Sequence, residues 1–317
     1  MKKPVVVISL ITLCLFCISC ENRPNALLPS SGGRPYEVMV VGDAIHIVRQ
    51  ALEEDVENLP QDEPCFDVSE SKEAGFNRFT RLARNIVVVN VNGQLTGSTR
   101  VHYEKNVYAH PQMIVYIDTP DMPALKEDIQ QIAPTVRRLL TRFEINQEIK
   151  QLKCGPVCKT VWQMFAWQIK LPADMRNTKK GKNFVWIADN AAGGTRNVCL
   201  YTLPLHCKNF KQARDSVMQR NIPGERPGSY MQTVTTHITA EKEKGKTITV
   251  ARGLWQMKND AMGGPYVAHI VKDEKKRCLM VAEGFVYSPE TTKRNKIRQL
   301  EAVLYTLTEY NKNQKER

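Results

Sequence analysis

The sequence predicts an α+β protein, with antiparallel-rich sheets carrying packed helices and a division into two subdomains. Three observations lead there. Four alternating apolar and polar runs, 230–239, 247–257, 265–271 and 278–287, are separated mostly by charged or glycine-containing turns, as in an antiparallel meander. After Pro120 a stripe of Leu125, Ile129, Ile132, Val136, Leu139, Leu140, Phe143 and Ile149 recurs at helical spacing. Gly155-Pro156 then interrupts the helical pattern, because proline removes a donor and clashes with the preceding turn. The boundary falls there, with an N-terminal α/β subdomain over 36–155 and a C-terminal α+β subdomain over 156–317 that holds the antiparallel sheet and a terminal helix.

The first nineteen residues read as an export leader. Lys2 and Lys3 open it, Val5 to Ile18 is an apolar run, and Ser19 precedes Cys20. The run is shorter than the roughly 18 residues a permanent span needs, so 1–19 is a removable lipoprotein signal peptide. The Cys20 thiol would then accept a diacylglyceryl group and the freed amine an acyl chain such as palmitate, an anchor well above the marginal one-chain limit. Residues 20–35, with three prolines and two glycines, suit a flexible linker between lipid and body.

Within the body, 37–41 is a short strand closed by Gly42-Asp43. Ile45, Val48, Leu52 and Val56 then follow at helical spacing. That turn lacks the further glycines of a nucleotide loop, so Asp43 is read as a helix cap. Strands are expected over 65–69, 86–91, 99–104 and 113–117, and a helix around 76–83. The long helix follows, with a kink expected at Pro134. Residues 184–188 and 198–203 read as strands joined across Gly193-Gly194, and 210–220 as a helix ending before Pro223-Gly224. A last helix carries Ile297, Leu300, Val303, Leu304 and Leu307 on one face.

The formal charge of +12 falls to +10 once the two leader lysines are gone. The excess sits in Lys179–Lys182, Lys242–Lys246, Lys272–Arg277 and the 312–317 tail, beside turns or at an end, which reads as solvated loops rather than a nucleic-acid surface. The partners expected are the membrane, through the lipid anchor, and an envelope protein or glycan. Outer membrane is favoured over inner.

Six cysteines remain besides Cys20, and disulfides among Cys154, Cys158, Cys199 and Cys207 are compatible with export. Three residues separate Cys154 from Cys158, one more than the redox motif that places both thiols at a helix start. Adding His206 and Cys207 does not give two tight pairs, so no metal and no cofactor is assigned.

Several motifs resemble one family. Ser30-Ser31-Gly32-Gly33-Arg34-Pro35-Tyr36-Glu37, Val41-Gly42-Asp43, Asn221-Ile222-Pro223-Gly224 with Gly228-Ser229-Tyr230-Met231, the run Arg252 to Pro265, and Glu283-Gly284-Phe285-Val286-Tyr287-Ser288-Pro289 look like domain-of-unknown-function family 4837, exported lipoproteins of Bacteroidota. The resemblance spans nearly the whole mature chain and implies no activity. Within the Arg252 run and just after it, Arg252, Trp255, Lys258, Asp260, Tyr266 and His269 form the candidate binding set, with Gly263-Gly264 admitting a close backbone approach. No nucleophile elbow, zinc helix or kinase set appears, and the catalytic assignment is none. The favoured reading is a non-catalytic binding or scaffolding lipoprotein that uses one face of its sheet. The alternative is an envelope hydrolase or carbohydrate-active enzyme built around Asp260 and His269.

Overall fold

The computed structural model describes residues 28–243 and 245–310, with the side chain of Lys246 also left out; the leader, Cys20, most of the linker and the 312–317 tail lie outside the described residues. The first half runs β1 (Glu37–Val41), α1 (Ile47–Leu52), β2 (Asp67–Ser71), β3 (Asn85–Val91), β4 (Arg100–Lys105), β5 (Met113–Thr119) and α2 (Met122–Gln151). Its strands form one sheet in the order β2-β1-β3-β5-β4, parallel except for β4 against β5. Parallel strands covered on both faces need continuous apolar runs, which is why β3 and β5 are Val/Ile-rich. Leu125, Ile129, Ala133, Val136, Leu140 and Phe143 of α2 seal one face. Met39, Phe76, Tyr108 and Tyr116 pack around Val41, Ile86 and Ile114 on the other.

The cap reading of Asp43 is realised. Its carboxylate accepts the backbone N–H groups of Ile47, Val48 and Arg49, so the helix start has no donors left for a phosphate. Gly42 sits at φ +82°, where an added Cβ would lie 2.6 Å from the Val89 carbonyl oxygen.

Three local expectations are corrected. The region of the expected helix at 76–83 holds two short 3-10 turns, Glu73–Gly75 and Thr80–Leu82. The Asn77 side chain accepts the Phe79 N–H, and the Thr80 hydroxyl bonds Asn77 N–H and the Gly75 carbonyl, so side chains take up the groups a helix would use. Helix α1 stops at Leu52, because Val56 donates instead to the Glu63 carbonyl across a loop. Strand β2 begins two residues after Cys65. Helix α2 keeps its helical assignment through Pro134.

The second half runs α3 (Pro156–Phe165), β6 (Trp167–Gln168), β7 (Asn177–Gly181), β8 (Phe184–Ala188), β9 (Thr195–Pro204), α4 (Phe210–Asn221), β10 (Met231–Glu243), β11 (Lys246–Met257), β12 (Gly263–Asp273), β13 (Cys278–Tyr287), α5 (Arg294–Leu304) and β14 (Thr308–Glu309). Seven of these strands make one wholly antiparallel sheet in the order β10-β11-β12-β13-β9-β8-β7. Helices α3 and α5 cover one face through Val161, Phe165, Leu300, Val303 and Leu304; α4 covers the other through Phe210, Val217 and Met218. Helices thus lie on both faces of the central strands, while most of β10 and β7 at the two ends of the sheet stay exposed. Helix α3, the edge strand β7 and the small β6–β14 pair carry sequence signals too short or too polar to have been read.

Helix α5 also locks the halves together. The Glu63 carboxylate, nearly buried, accepts the N–H groups of Lys293 and Arg294 at its first turn. Arg294 pairs with Asp67 at 2.8 Å, and Arg298 donates to the Cys65 carbonyl while its guanidinium lies 4.4 Å from the centre of the Tyr36 ring.

Candidate functional site

The six residues nominated from the sequence do not form one site. Side chains alternate along a strand, so neighbours on β11 and β12 divide between the two faces of the sheet. Trp255 and Tyr266 point beneath α4, Arg252 and His269 point beneath α5, and Lys258 and Asp260 stand in the exposed turn between the strands.

Under α4, Trp255 fills core against Phe285 at 5.3 Å, with its Nε1–H unpartnered. Beside it lies a charge cluster the sequence reading missed. Arg214, wholly buried, donates through Nε and Nη2 to Glu283, also wholly buried, the shorter bond being 2.7 Å. Tyr201 donates its hydroxyl to the same carboxylate, the Arg214 Nη1 donates to Thr233, and the guanidinium sits 4.1 Å from the Tyr266 ring centre. Burial opposes the Arg214 charge, but Glu283 outweighs it and raises the guanidinium pKa; burial, with Arg214 opposing, lifts the Tyr266 hydroxyl to about 12. This is a satisfied ion pair inside apolar packing, closed to solvent.

Under α5, Arg252 bridges Glu241 of β10, at 2.7 Å, and Glu301 of α5. The Tyr305 hydroxyl donates to Glu241 at 3.1 Å, and the ring takes the Arg142 guanidinium on its face and the His269 ring at its edge. Burial lowers His269 to about 4 despite the nearby carboxylate of Glu301, so the imidazole is neutral, with Nε2 unpartnered. Asp260 and His269 cannot act together. Six strand residues between Gly263 and His269 alone span about 20 Å, and the Asp260 carboxylate accepts the local Met262 N–H. Gly264 does serve a close approach, but to protein: an added Cβ would lie 2.0 Å from the Val286 carbonyl oxygen.

The six described cysteines carry free thiols. Cys158 is buried with Sγ 2.7 Å from the Ile169 carbonyl oxygen, and burial followed by its contact with the exposed Cys154 raises it to about 12. Cys199 is enclosed and burial raises its thiol well above the ordinary value, while Cys207 is half-buried in the β9–α4 connection. Raised thiols are poor nucleophiles.

What distinguishes the surface is one strand edge. An unpaired edge offers free backbone donors and acceptors, and proteins blunt such edges with charge. Three of the four edges of the two large sheets follow that rule: β2 carries Asp67 and Glu70, β4 carries Arg100, Glu104 and Lys105, and β7 carries Lys179 and Lys180. The fourth, β10, carries Glu241, Lys242 and Glu243 at its far end, while its first ten residues, Met-Gln-Thr-Val-Thr-Thr-His-Ile-Thr-Ala from Met231 to Ala240, hold no formally charged residue. Val234 and Ile238 are 41% and 52% exposed on it, and the stretch Val234–Ala240 is open to solvent apart from the half-buried Thr236. A bulge between Thr233 and Thr235 leaves Val234 without a partner on β11, its carbonyl reached by the exposed Lys211 Nζ at 3.3 Å.

Comparison with known families divides the chain near the same place as the break between α2 and α3. Residues 157–306 match the family described as Domain of unknown function (DUF4837), and residues 31–153 match Domain of unknown function (DUF8532). The resemblance read from the motifs is thus shown for the second half, while the motifs between Ser30 and Asp43 fall in the second family's match. No curated protein matches the chain. Among solved structures, the chain is similar to the Ran-binding protein Mog1p of Saccharomyces cerevisiae, at 9% identity and TM-score 0.32 over 47% of this chain and 92% of that one. It is also similar to a mutant of protein Mog1, at 8% identity and TM-score 0.29 over 47% and 93%.

Proposed function

We propose that this protein is a non-catalytic binding or scaffolding lipoprotein of the bacterial cell envelope, held to the outer membrane through Cys20 and engaging its partner by strand addition at β10. The leader pattern before Cys20 supports the anchor. The observation that carries the binding role is the solvent-open stretch Val234–Ala240 of the β10 edge, which holds no formal charge ahead of Glu241, Lys242 and Glu243 and exposes Val234 and Ile238. Main-chain bonds along such an edge supply affinity, and alternate side chains supply selectivity.

The test uses the full chain in cells. Cys20→Ser is expected to remove the lipid mass and release the protein from the membrane fraction; unchanged mass and fractionation would overturn the anchor. A photoreactive residue at Ile238 is expected to capture a strand partner that the same probe at Lys180 does not capture. Equal capture at both positions, or none at Ile238, would overturn strand addition.

A further inference from the structure

We infer that the tethered body rests on the bilayer through the loop that carries Arg78, Phe79 and Arg81, with the Phe79 ring in the headgroup zone and the two guanidinium groups on anionic lipid. The inference rests on the reading of Cys20 as a lipid anchor and adds the surface by which the anchored body meets the membrane.

Position is the first observation. Ser30 follows Cys20 by ten positions, and ten extended residues reach at most about 35 Å. The acyl chains therefore hold this part of the body close to the headgroups. The entry point is fixed on the fold: the Pro29 carbonyl accepts the His110 N–H at 2.9 Å, Ser31 donates to the His110 carbonyl at 3.2 Å, and Gly32 donates to the Leu82 carbonyl at 2.8 Å while accepting the Arg84 N–H at 2.9 Å. The loop from Lys72 to Arg84 thus lies where the tether arrives. Gly32, Gly33, Phe79, Thr80 and Leu82 line one cavity of about 260 Å³, and Tyr108 stands two residues before His110.

Chemistry is the second. Phe79 is 69% exposed, the most open large apolar side chain among the described residues. A lone exposed ring is ordinary on a globule. This one is clasped by charge: the Arg78 guanidinium lies 4.6 Å from its ring centre, and Arg81 lies 5.2 Å from the ring centres of both Phe76 and Tyr108. Within the loop Lys72, Arg78 and Arg81 are exposed cations, Glu73 is the single acid, and Arg84 is engaged with the buried Glu144. Aromatic faces carrying guanidinium groups suit an interface where the ring enters the acyl boundary and the charged heads reach phosphate. Each basic residue near an anionic surface adds about fivefold in affinity.

The tether supplies the rest. A patch of this size holds a free protein weakly, which agrees with release of the chain once its acyl groups are gone. Held near the bilayer at high effective concentration, the same patch settles which side of the body faces lipid.

The test uses the mature chain, 20–317, made without its leader and with Cys20→Ser so that no acyl group is present, sedimented with an excess of vesicles at low ionic strength. Vesicles of phosphatidylglycerol and phosphatidylethanolamine are expected to carry the chain down, and vesicles of phosphatidylcholine alone are not. Arg78→Glu with Arg81→Glu should lower anionic-vesicle binding by about tenfold or more, and Phe79→Ser should lower it with no change of charge. Lys179→Glu with Lys180→Glu removes the same net charge from exposed positions and should leave most of the binding. Equal losses in the two charge-reversed chains, binding indifferent to Phe79, equal binding to neutral vesicles, or none to anionic ones would each overturn the inference. The anchor is read separately, from the mass of the chain made in cells. An acylated chain whose bare form ignores vesicles keeps the tether and loses this surface; a chain never acylated that binds through Arg78, Phe79 and Arg81 keeps the surface and loses the tether.

Discussion

Arg214 and Glu283 are each fully enclosed, and neither could be tolerated there alone. Removing one partner leaves a buried charge without compensation, so Arg214→Met is expected to lower stability by about 3–5 kcal/mol in urea denaturation. The double change Arg214→Met with Glu283→Leu should recover at least half of that loss; no recovery would show that the pair is not what stabilises α4 on the sheet. His269 gives the corresponding pH experiment. Its ordinary value of 6.5 falls to about 4 in the fold, chiefly through burial. Between those values the unfolded chain binds a proton that the folded one refuses. Stability should therefore be full above about 6.5 and decline as pH falls to about 4, by about 3 kcal/mol in all. His269→Gln should flatten this part of the melting profile relative to the parent, and an unchanged slope would refute the assignment.

At the level of elements, α5 depends on a group from the other half of the chain. Its N-cap residue Lys293 makes no side-chain cap, and the Glu63 carboxylate takes the exposed N–H groups instead. Glu63→Ala is expected to lower stability by about 1–2 kcal/mol, the range for losing a helix cap; a loss under a few tenths would mean that water replaces it. Elements of strong period were legible from sequence alone: β13 has the limits read from its alternation, and α2 the stripe read from its spacing. The misses share a cause. Asn77 and Thr80 satisfied local backbone groups and unmade an expected helix, and β7 is polar throughout because it lies at an edge. The candidate site was legible only in part, since sequence proximity placed Arg252 and Trp255 together while the two-residue repeat of a strand sent them to opposite faces. Glu241, Glu301 and Tyr305, which actually meet Arg252 or its partners, come from segments that no spacing rule connects.

Among the described residues the two large sheets share one helical seam. Helices α2 and α5 touch along it, and Arg142 of α2 joins Glu243 at the far end of β10. The far end of β10 is thereby braced from the first half. No helix among the described residues is long and apolar enough to cross a membrane.

The cap that Glu63 supplies to α5 lies 230 positions upstream of the turn it serves. Synthesis from the amino end delivers the acceptor long before the donors. Until the last helix arrives, the Tyr36 and Phe66 rings lack the Arg298 guanidinium that covers them, so the seam between the halves closes only with the final helix, whereas the core under the long helix needs nothing from it.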